Sequence, residues 1–463
     1  MGAAQTGSSV RLESLVELSL GQKLGQLRTV PVRLGNGDRG ILAVYGADFD
    51  VDPSINMFFY PTDTLKMSLI SLSGEIVWKR DLGRSVVPGI WFCPIYAFDL
   101  DGDGADEVWY VNNQNPQHPF FLEDYTLRRI DVRTGEPTGE WKWPIGDGKS
   151  QTLSHTFRNF ILGGYSHGEP VLVTAQGTYG GMHLQGWKPD MSERWSYVVK
   201  KSDPGARGSH ITPVIDLNND GVDEILWGER CIEVNTGKEL FCADRDVYSG
   251  HSDVIQPVLD KKTGSWSIYT CREGDKDAAP RIVMFDDQGR RRWGYLDEGH
   301  IDIGWVARLK DDRSHVTMAI RIGAKTCGPD GRFHQDMEEF TYDAATGQPV
   351  SLGFSVYRTI PVDVNGDGYH ELVRGMPAGD GLLFDRHGNT IGNIGGNVSM
   401  ACKFLDLPGE QILSFRPDGT VQIWADRNAE DSPFALERYA DPYYAACRRA
   451  YGVGYNLYIV AGL

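Results

Sequence analysis

The feature that most limits what this chain can fold into is a recurrence. A unit of roughly 50 residues returns along most of the sequence, and repeats of that length build solenoids, propellers or arrays. One half of each unit is an apolar strand, a short turn and a second strand that often carries tryptophan. It reads SLISLSGEIVWKRDL, RRIDVRTGEPTGEWKW, LQGWKPDMSERWSYV, CIEVNTGKELFCAD, IVMFDDQGRRRWGYL, FTYDAATGQPVSL and LLFDRHGNTIGNI, with a weaker copy around VQIWADR. Ser-Gly, Thr-Gly, Gln-Gly and His-Gly between β-rich runs are hairpin signals. They draw on a glycine content of 55 residues, nearly double the usual share.

The other half precedes each of these hairpins. A strand runs into a polar turn and then into a strongly apolar strand, as in IYAFDLDGDGADEVWYV, TPVIDLNNDGVDEILWG and IPVDVNGDGYHELVRG. Less polar copies include VPVRLGNGDRGILAVYG, FILGGYSHGEPVLVTAQG and WVARLKDDRSHVTMAIR. About eight units of about four strands each, with no long amphipathic helix, describe an all-β chain folded as a β-propeller. The expected architecture is eight four-stranded blades, or six or seven if a unit has been split or counted in excess. One propeller domain would span residues 1–463, its two ends sharing a blade completed by VRLESLVELSL or by GYNLYIVAGL. Pro31, Pro94, Pro213 and Pro361 fall at matching places in the first strand of their units. Proline cannot donate to a ladder, so this strand should be an edge lining the central channel.

Composition narrows the class of partner. A net charge of −17 opposes nucleic-acid binding, which normally needs a basic field. No apolar run approaches the roughly 20 residues that span a bilayer, and no membrane partner is expected. The stretch MGAAQTGSSV lacks a charged segment followed by an apolar one, so a cytoplasmic location is expected, or a secreted one if the sequence has been trimmed. Seven scattered cysteines without a CxxC pair argue for a reducing compartment and against a zinc cage. Cys231 and Cys242 flank a hairpin, either as buried thiols or as a cross-strand disulfide. Oligomeric state is not encoded in any of these features.

Three of the polar turns have a spacing with a mechanism: Asp99, Asp101, Asp103 and Glu107; Asp216, Asn218, Asp220 and Glu224; Asp363, Asn365, Asp367 and Glu371. Oxygens at positions one, three and five of a tight turn, closed by an acid at nine, suit Ca²⁺, which takes six to eight oxygen ligands. The alternative is a metal-free turn, since Asp, Asn and Gly favour turns on their own. These positions would pin blades rather than perform chemistry.

The D-x-D-G-D-G-x-x-E turns resemble those of FG-GAP-type propellers. More closely, FRNFILGGYSHGEPVLVTAQGTYGGMHLQGW, then RGSHITPVIDLNNDGVDEI, then GHSDV resemble in order and layout the family 11 polysaccharide lyases, which are calcium-containing rhamnogalacturonan lyases. The resemblance covers roughly residues 90–380. It departs at Ser209-His210-Ile211, where the family reads Asn-His-Asn, and at Gly250-His251-Ser252-Asp253, where it reads Gly-His-Gly-Asp. The sandwich domain common in that family has no counterpart in these residues. What the resemblance implies is an eight-bladed propeller, bound Ca²⁺ and cleavage of an acidic poly- or oligosaccharide by β-elimination.

In a propeller, the loops leading into the inner strands and those joining second to third strands share one face, opposite the acidic turns. Four histidines would begin successive units there: His155, His210, His251 and His300. A lyase needs a cation on the uronate carboxylate, a base of near-neutral pKa and an acid for the leaving oxygen. His210 or His251 as base, Arg272 and Arg158 on the carboxylate and Tyr179 near the leaving group make one such set, with His155 and His300 beside them. Trp91, Arg230, Arg358, Asp253, Asp302 and Glu273 are the candidates for substrate binding, and Trp91, Tyr179 and Trp305 could stack on sugars. A hydrolase would instead use two carboxylates about 5–10 Å apart, one of them protonated, drawn from Asp253, Asp302, Glu229 and Glu273. A non-catalytic carbohydrate-binding propeller is the third reading, since this fold does not fix function.

Overall fold

The computed structural model describes residues 10–144, 152–273 and 279–463. Its antiparallel sheets form a ring of eight blades, seven of them four-stranded. The sixth blade has three strands, His300–Arg308, His315–Ile322 and Glu338–Asp343. A bridge between Tyr342 and Pro349 marks the place of its fourth. That blade also carries an added hairpin, Ala324–Gly328 with Gly331–Gln335, between its second and third strands.

Burial follows position in the blade. Inner strands such as Ile95–Phe98 are fully buried, whereas outer ones such as Ile76–Asp81 alternate between exposed and half-buried residues. The prolines lie where the edge argument puts them. Pro31 and Pro361 are in inner strands, and Pro94 and Pro213 immediately precede theirs, with their carbonyls accepting from Val111 and Leu226 of the second strand. Cys231 stands opposite Phe241 rather than Cys242, which is paired with Arg230, and both thiols are free.

The repeated tryptophans and turn glycines turn out to be partners. Trp78, Trp195 and Trp293, on outer strands, donate to the carbonyls of Val132, Val234 and Ala344 in the next blade at 2.8, 2.8 and 2.9 Å. Each indole also covers the turn glycine of that blade: Gly135, Gly237 and Gly347, with φ of +72°, +69° and +70°. Phe241 over Gly289 and Phe354 over Gly388 repeat the contact without the hydrogen bond. A side chain at these glycines would both strain the left-handed backbone and overlap the aromatic ring.

Both ends of the chain complete the ring, in different ways. Leu12–Ser19 forms the outer strand of the eighth blade, antiparallel to Thr420–Asp426. GYNLYIVAGL forms no strand. After two short helices, Pro433–Ala440 and Pro442–Arg449, capped by Ser432 and Asp441, the chain runs into two 3₁₀ segments, Ala450–Gly452 and Asn456–Gly462. This tail is hydrogen-bonded to inner strands all around the ring. Arg28 of the first blade donates to Gly452, Thr212 of the fourth to Asn456, Gln256 of the fifth to Tyr458, and Tyr451 donates to Ala401 of the eighth. Only a segment on the axis can reach so many blades. The tail therefore plugs the channel, and a Cβ at Gly452 would overlap the carbonyl of Ile95.

Ile459, 1% exposed in this plug, has no room to relax if truncated. Ile459→Ala is expected to cost about 2–5 kcal/mol by denaturant unfolding. Leu436→Ala, on the exposed side of the first helix, should stay within about 0.5 kcal/mol.

Candidate functional site

The plug leaves a blind cavity of about 1340 Å³ at the mouth. Strand polarity decides what lines it. Inner strands start at this face and run toward the acidic turns, so residues at their beginnings gather around the axis.

At the centre is a chain of close polar contacts. The Tyr179 hydroxyl lies 3.1 Å from His210 Nε2, and His210 Nδ1 lies 3.0 Å from Asp253 Oδ1. The carboxylate beside Nδ1 favours the proton on that nitrogen, which leaves the Nε2 lone pair for the tyrosine. Burial lowers the His210 pKa against the pull of Asp253, so the ring is neutral near pH 7. Burial likewise raises the Tyr179 hydroxyl well above its ordinary value. Trp91 supports His210 from behind at 4.9 Å between ring centroids, and the tail completes the support, since Tyr455 N–H donates to the His210 carbonyl.

Beside this chain is a compact charged cluster. His300 Nε2 lies 2.6 Å from Glu273 and 2.8 Å from Asp302, Lys325 lies 2.8 Å from Asp302, and His251 pairs with Glu273. Burial opposes charge on His300, but its bonds to Asp302 and Glu273 outweigh it and hold the imidazolium up to about 10. His251 is raised in the same way, with Glu273 and Asp253 overcoming its burial. Against their own burial, Glu273 is held well below the carboxylate range by His251 and His300, and Asp302 by His300 and Lys325. The three carboxylates are thus matched by three cationic groups. Two overlapping sets have the donor types of a metal site: His210, His251 and Asp253, and Asp253, Glu273, His300 and Asp302.

The structure does not bring every candidate to the cavity. Arg272, expected on the substrate carboxylate, is fully buried, with two bonds of 2.7 Å to Glu229 and one of 2.6 Å to Asp244. Arg158 is also fully buried, bonded to Asp52 at 3.1 Å and stacked between Trp91 and Tyr179. Arg230 is committed to Glu239, Tyr197 and the carbonyls of Ala206 and Pro204. A buried guanidinium takes the nearest carboxylate or carbonyls, and none of the three lines the cavity. Trp91 and Trp305 are fully buried too, so neither presents a face to a sugar. His155, stacked on Tyr179, and Arg358 do line the cavity, whereas His251 and Asp253 sit one layer behind its wall.

Other groups take the vacated places, Lys325 and Asp50 from loops the sequence already puts on this face. The added hairpin brings Lys325, Arg332 and His334 to the cavity, and the tail brings Tyr455. Arg332 lies 3.2 Å from Asp52 and donates to the Tyr455 hydroxyl at 3.1 Å. Asp50, also on the lining, is pushed up to about 6 by burial. The Pro329-Asp330-Gly331 turn was a readable hairpin signal; nothing in the sequence said where its arms would lie.

The acidic turns lie on the far face, each joining the first and second strands of its blade (the second, fourth and seventh). All three fold alike: the closing glutamates Glu107, Glu224 and Glu371 accept from Leu100, Leu217 and Val364 at 2.8–2.9 Å. Asp99, Asp101 and Glu107 have carboxylate oxygens within 4.8 Å of one another. Burial, reinforced by neighbouring aspartates, pushes Glu107 up to about 7 and Glu224 up to about 8.

No protein-family model matches the chain. It is similar to the rhamnogalacturonan exolyase YesX of Bacillus subtilis, 23% identical over 343 residues, covering 62% of this chain and 56% of that protein. It is also similar to the endolyase YesW of the same organism, 24% identical over 286 residues, covering 54% and 44%. The chain thus spans about half the length of the curated relatives it matches. The crystal structure of the exotype lyase YesX superposes with a TM-score of 0.77 at 16% identity, covering 96% of this chain and 80% of that one. The Bacillus licheniformis family 11 rhamnogalacturonan lyase gives 0.73 at 16%, covering 96% and 81%.

A histidine charge sustained by carboxylates has a pH signature. The folded His300 pKa is raised above its unfolded value, so its contribution to stability is full below about 6.5 and is lost as pH rises through about 10. In an NMR titration, His300 is expected to titrate on the alkaline side and His210 below the ordinary histidine value. His300→Gln should remove the alkaline part of the stability profile.

Proposed function

We propose that this protein is a polysaccharide lyase, a carbon–oxygen lyase that cleaves next to a uronate in a rhamnogalacturonan-like glycan by β-elimination. The observation that carries this reading is the Tyr179–His210–Asp253 chain: a neutral imidazole, oriented by a buried carboxylate, accepting from a tyrosine that faces the cavity. The likeness to rhamnogalacturonan lyases supports it.

In this reading Tyr179 oxygen takes the proton from the ring carbon beside the carboxylate as its own proton passes to His210 Nε2. The freed electron pair becomes the new carbon–carbon double bond, and the adjacent carbon–oxygen bond breaks. Asp253 stabilises the imidazolium, and the relay returns the proton through Tyr179 to the leaving oxygen. Lys325 and Arg332, across the cavity, are the cations for the uronate carboxylate, in the role first expected of Arg272 and Arg158. Of the four hydrolytic candidates, Glu273 and Asp302 are held ionised, and Glu229 is fully buried against Arg272 rather than on the cavity lining.

β-Elimination leaves a conjugated unsaturated uronate that absorbs in the ultraviolet, whereas hydrolysis gives reducing ends without it. Assaying rhamnogalacturonan and other acidic glycans by both readouts should give both signals together. Reducing ends alone would mean hydrolysis, and binding without either signal would mean a non-catalytic propeller. Tyr179→Phe and His210→Gln should each lower kcat by about 10²–10⁴-fold with little change in Tm. If both retain full activity, the relay is not the catalytic device.

Ca²⁺ is proposed at the acidic turns. Three convergent carboxylates, one pushed toward its neutral form by burial and by Asp101, fit a divalent cation better than they fit one another. Asp99, Asp101, Asp103 and Glu107 would hold it in the second blade, and the matching residues of the fourth and seventh blades in theirs. Bound there it supplies cross-linking charge far from the cavity. Chelation should lower Tm, and Ca²⁺ at 100 times its Kd should restore about 2.7 kcal/mol per site. Asp101→Ala should reduce that response while sparing activity per folded molecule.

A further inference from the structure

The cations around the cavity mouth are not equally engaged. Lys325 is ion-paired to Asp302 and Arg332 to Asp52, and His300 lies between Glu273 and Asp302. Arg358 lines the same cavity, half-buried, and no carboxylate lies within ion-pair distance of it among the described residues. Its guanidinium is nonetheless held in place. One face lies over the Tyr357 ring, 5.0 Å from the centroid, and Nη1 donates to the Ala378 carbonyl. Tyr357 is fixed in turn by His334, whose Nδ1 lies 2.9 Å from its hydroxyl. Arg358 has a φ of +62° and Ala378 of +64°. A left-handed backbone is uncommon for residues with side chains, and it recurs at ligand clamps. Among the described residues on the cavity lining, Arg358 alone has one without being glycine.

Other arginines of this chain show how a guanidinium is read here. Arg33 holds Asp106, Arg272 holds Glu229 and Arg374 holds Asp380 through the paired Nε and Nη2 donors. Two parallel donors match the two oxygens of a carboxylate. At Arg358 the parts in use are Nη1 and the ring face, and the Nε–Nη2 edge has no partner among the described residues. The described lining residues of the seventh and eighth blades include no acidic group. We infer that Arg358 receives a second uronate carboxylate of the bound glycan, on a sugar other than the one that is cleaved. The inference rests on the proposed reading of the cavity as a glycan site. Arg358 stands on the seventh blade and Tyr179 on the third, which are opposite in a ring of eight. Arg332, bonded to Tyr455 of the axial plug, lies between them. A carboxylate beside Tyr179 therefore meets Lys325 and Arg332, and Arg358 is left for the next uronate along the chain.

The test measures what a second uronate adds to binding. Rhamnogalacturonan backbone fragments carrying one uronate or two are titrated calorimetrically into the His210→Gln protein, which prevents turnover. Two-uronate fragments should bind about 10- to 100-fold more tightly, the range of a hydrogen bond to a charged group. Adding Arg358→Gln should abolish that gain at an unchanged Tm. No gain in the His210→Gln protein overturns the inference, and so does a gain that survives Arg358→Gln. Should the double variant unfold, the His210→Gln protein answers alone, with two-uronate fragments whose non-reacting carboxyl has been reduced to the alcohol. These should bind like one-uronate fragments, and undiminished binding overturns the inference. If no fragment binds, the glycan reading itself fails and this inference falls with it. Binding that gains nothing from the second uronate sinks the role of Arg358 alone.

Discussion

A ring of eight blades leaves a hole along its axis, and the rest of this structure depends on how that hole is filled. Inner strands are edges, and their unpaired groups and apolar side chains would otherwise face a water-filled channel. Here the final segment of the chain closes it from the acidic-turn side, its carbonyls accepting from side chains of blades on opposite sides of the ring. What remains at the other end is a pocket with a floor. The floor is also part of the chemistry, since Tyr455 is at once a support for His210 and a lining residue.

Closure brings a cost in desolvation that the mouth meets by local pairing. Asp253, Glu273 and Asp302 converge within a small volume, and their charge is tolerable because His251, His300 and Lys325 are interleaved with them. Within the same few ångströms His210 stays neutral, because burial outweighs the one carboxylate it touches. Neighbouring histidines are thus driven in opposite directions by their surroundings, one kept available as a proton acceptor and one held as a permanent cation. That separation of roles is the kind of arrangement acid–base catalysis requires.

The ring was legible in the sequence because its signals are local and repeated. Turn glycines, alternating strands and edge prolines each carry the same physical meaning in every unit. The mouth was legible to the extent that strand polarity carries the start of each inner strand to the axis, which gathers His210, His300 and Asp302, while Tyr179 comes from a loop joining second to third strands on the same face. The arginines were not. A guanidinium buried in a blade is claimed by whichever carboxylate folding places beside it, and neither Glu229 for Arg272 nor Asp52 for Arg158 is near in sequence. The plug was unreadable for a different reason. Its residues are chosen for close approach to other backbones, as at Gly452 and Gly454, and such contacts leave no periodicity.

The hydrogen bond from Tyr455 to the His210 carbonyl, and the pairing of Leu12–Ser19 with Thr420–Asp426, also order events in time. Contacts between residues so far apart in sequence are the slowest to form, because the loops they close run from about half to nearly the whole of the chain. Blades can assemble one after another as the polypeptide emerges, yet the histidine of the fourth blade waits for a residue 245 positions later. A partly synthesised or clipped chain would leave His210 without the support of the tail. In the proposed reading, activity would then report completion of the fold, not merely its presence.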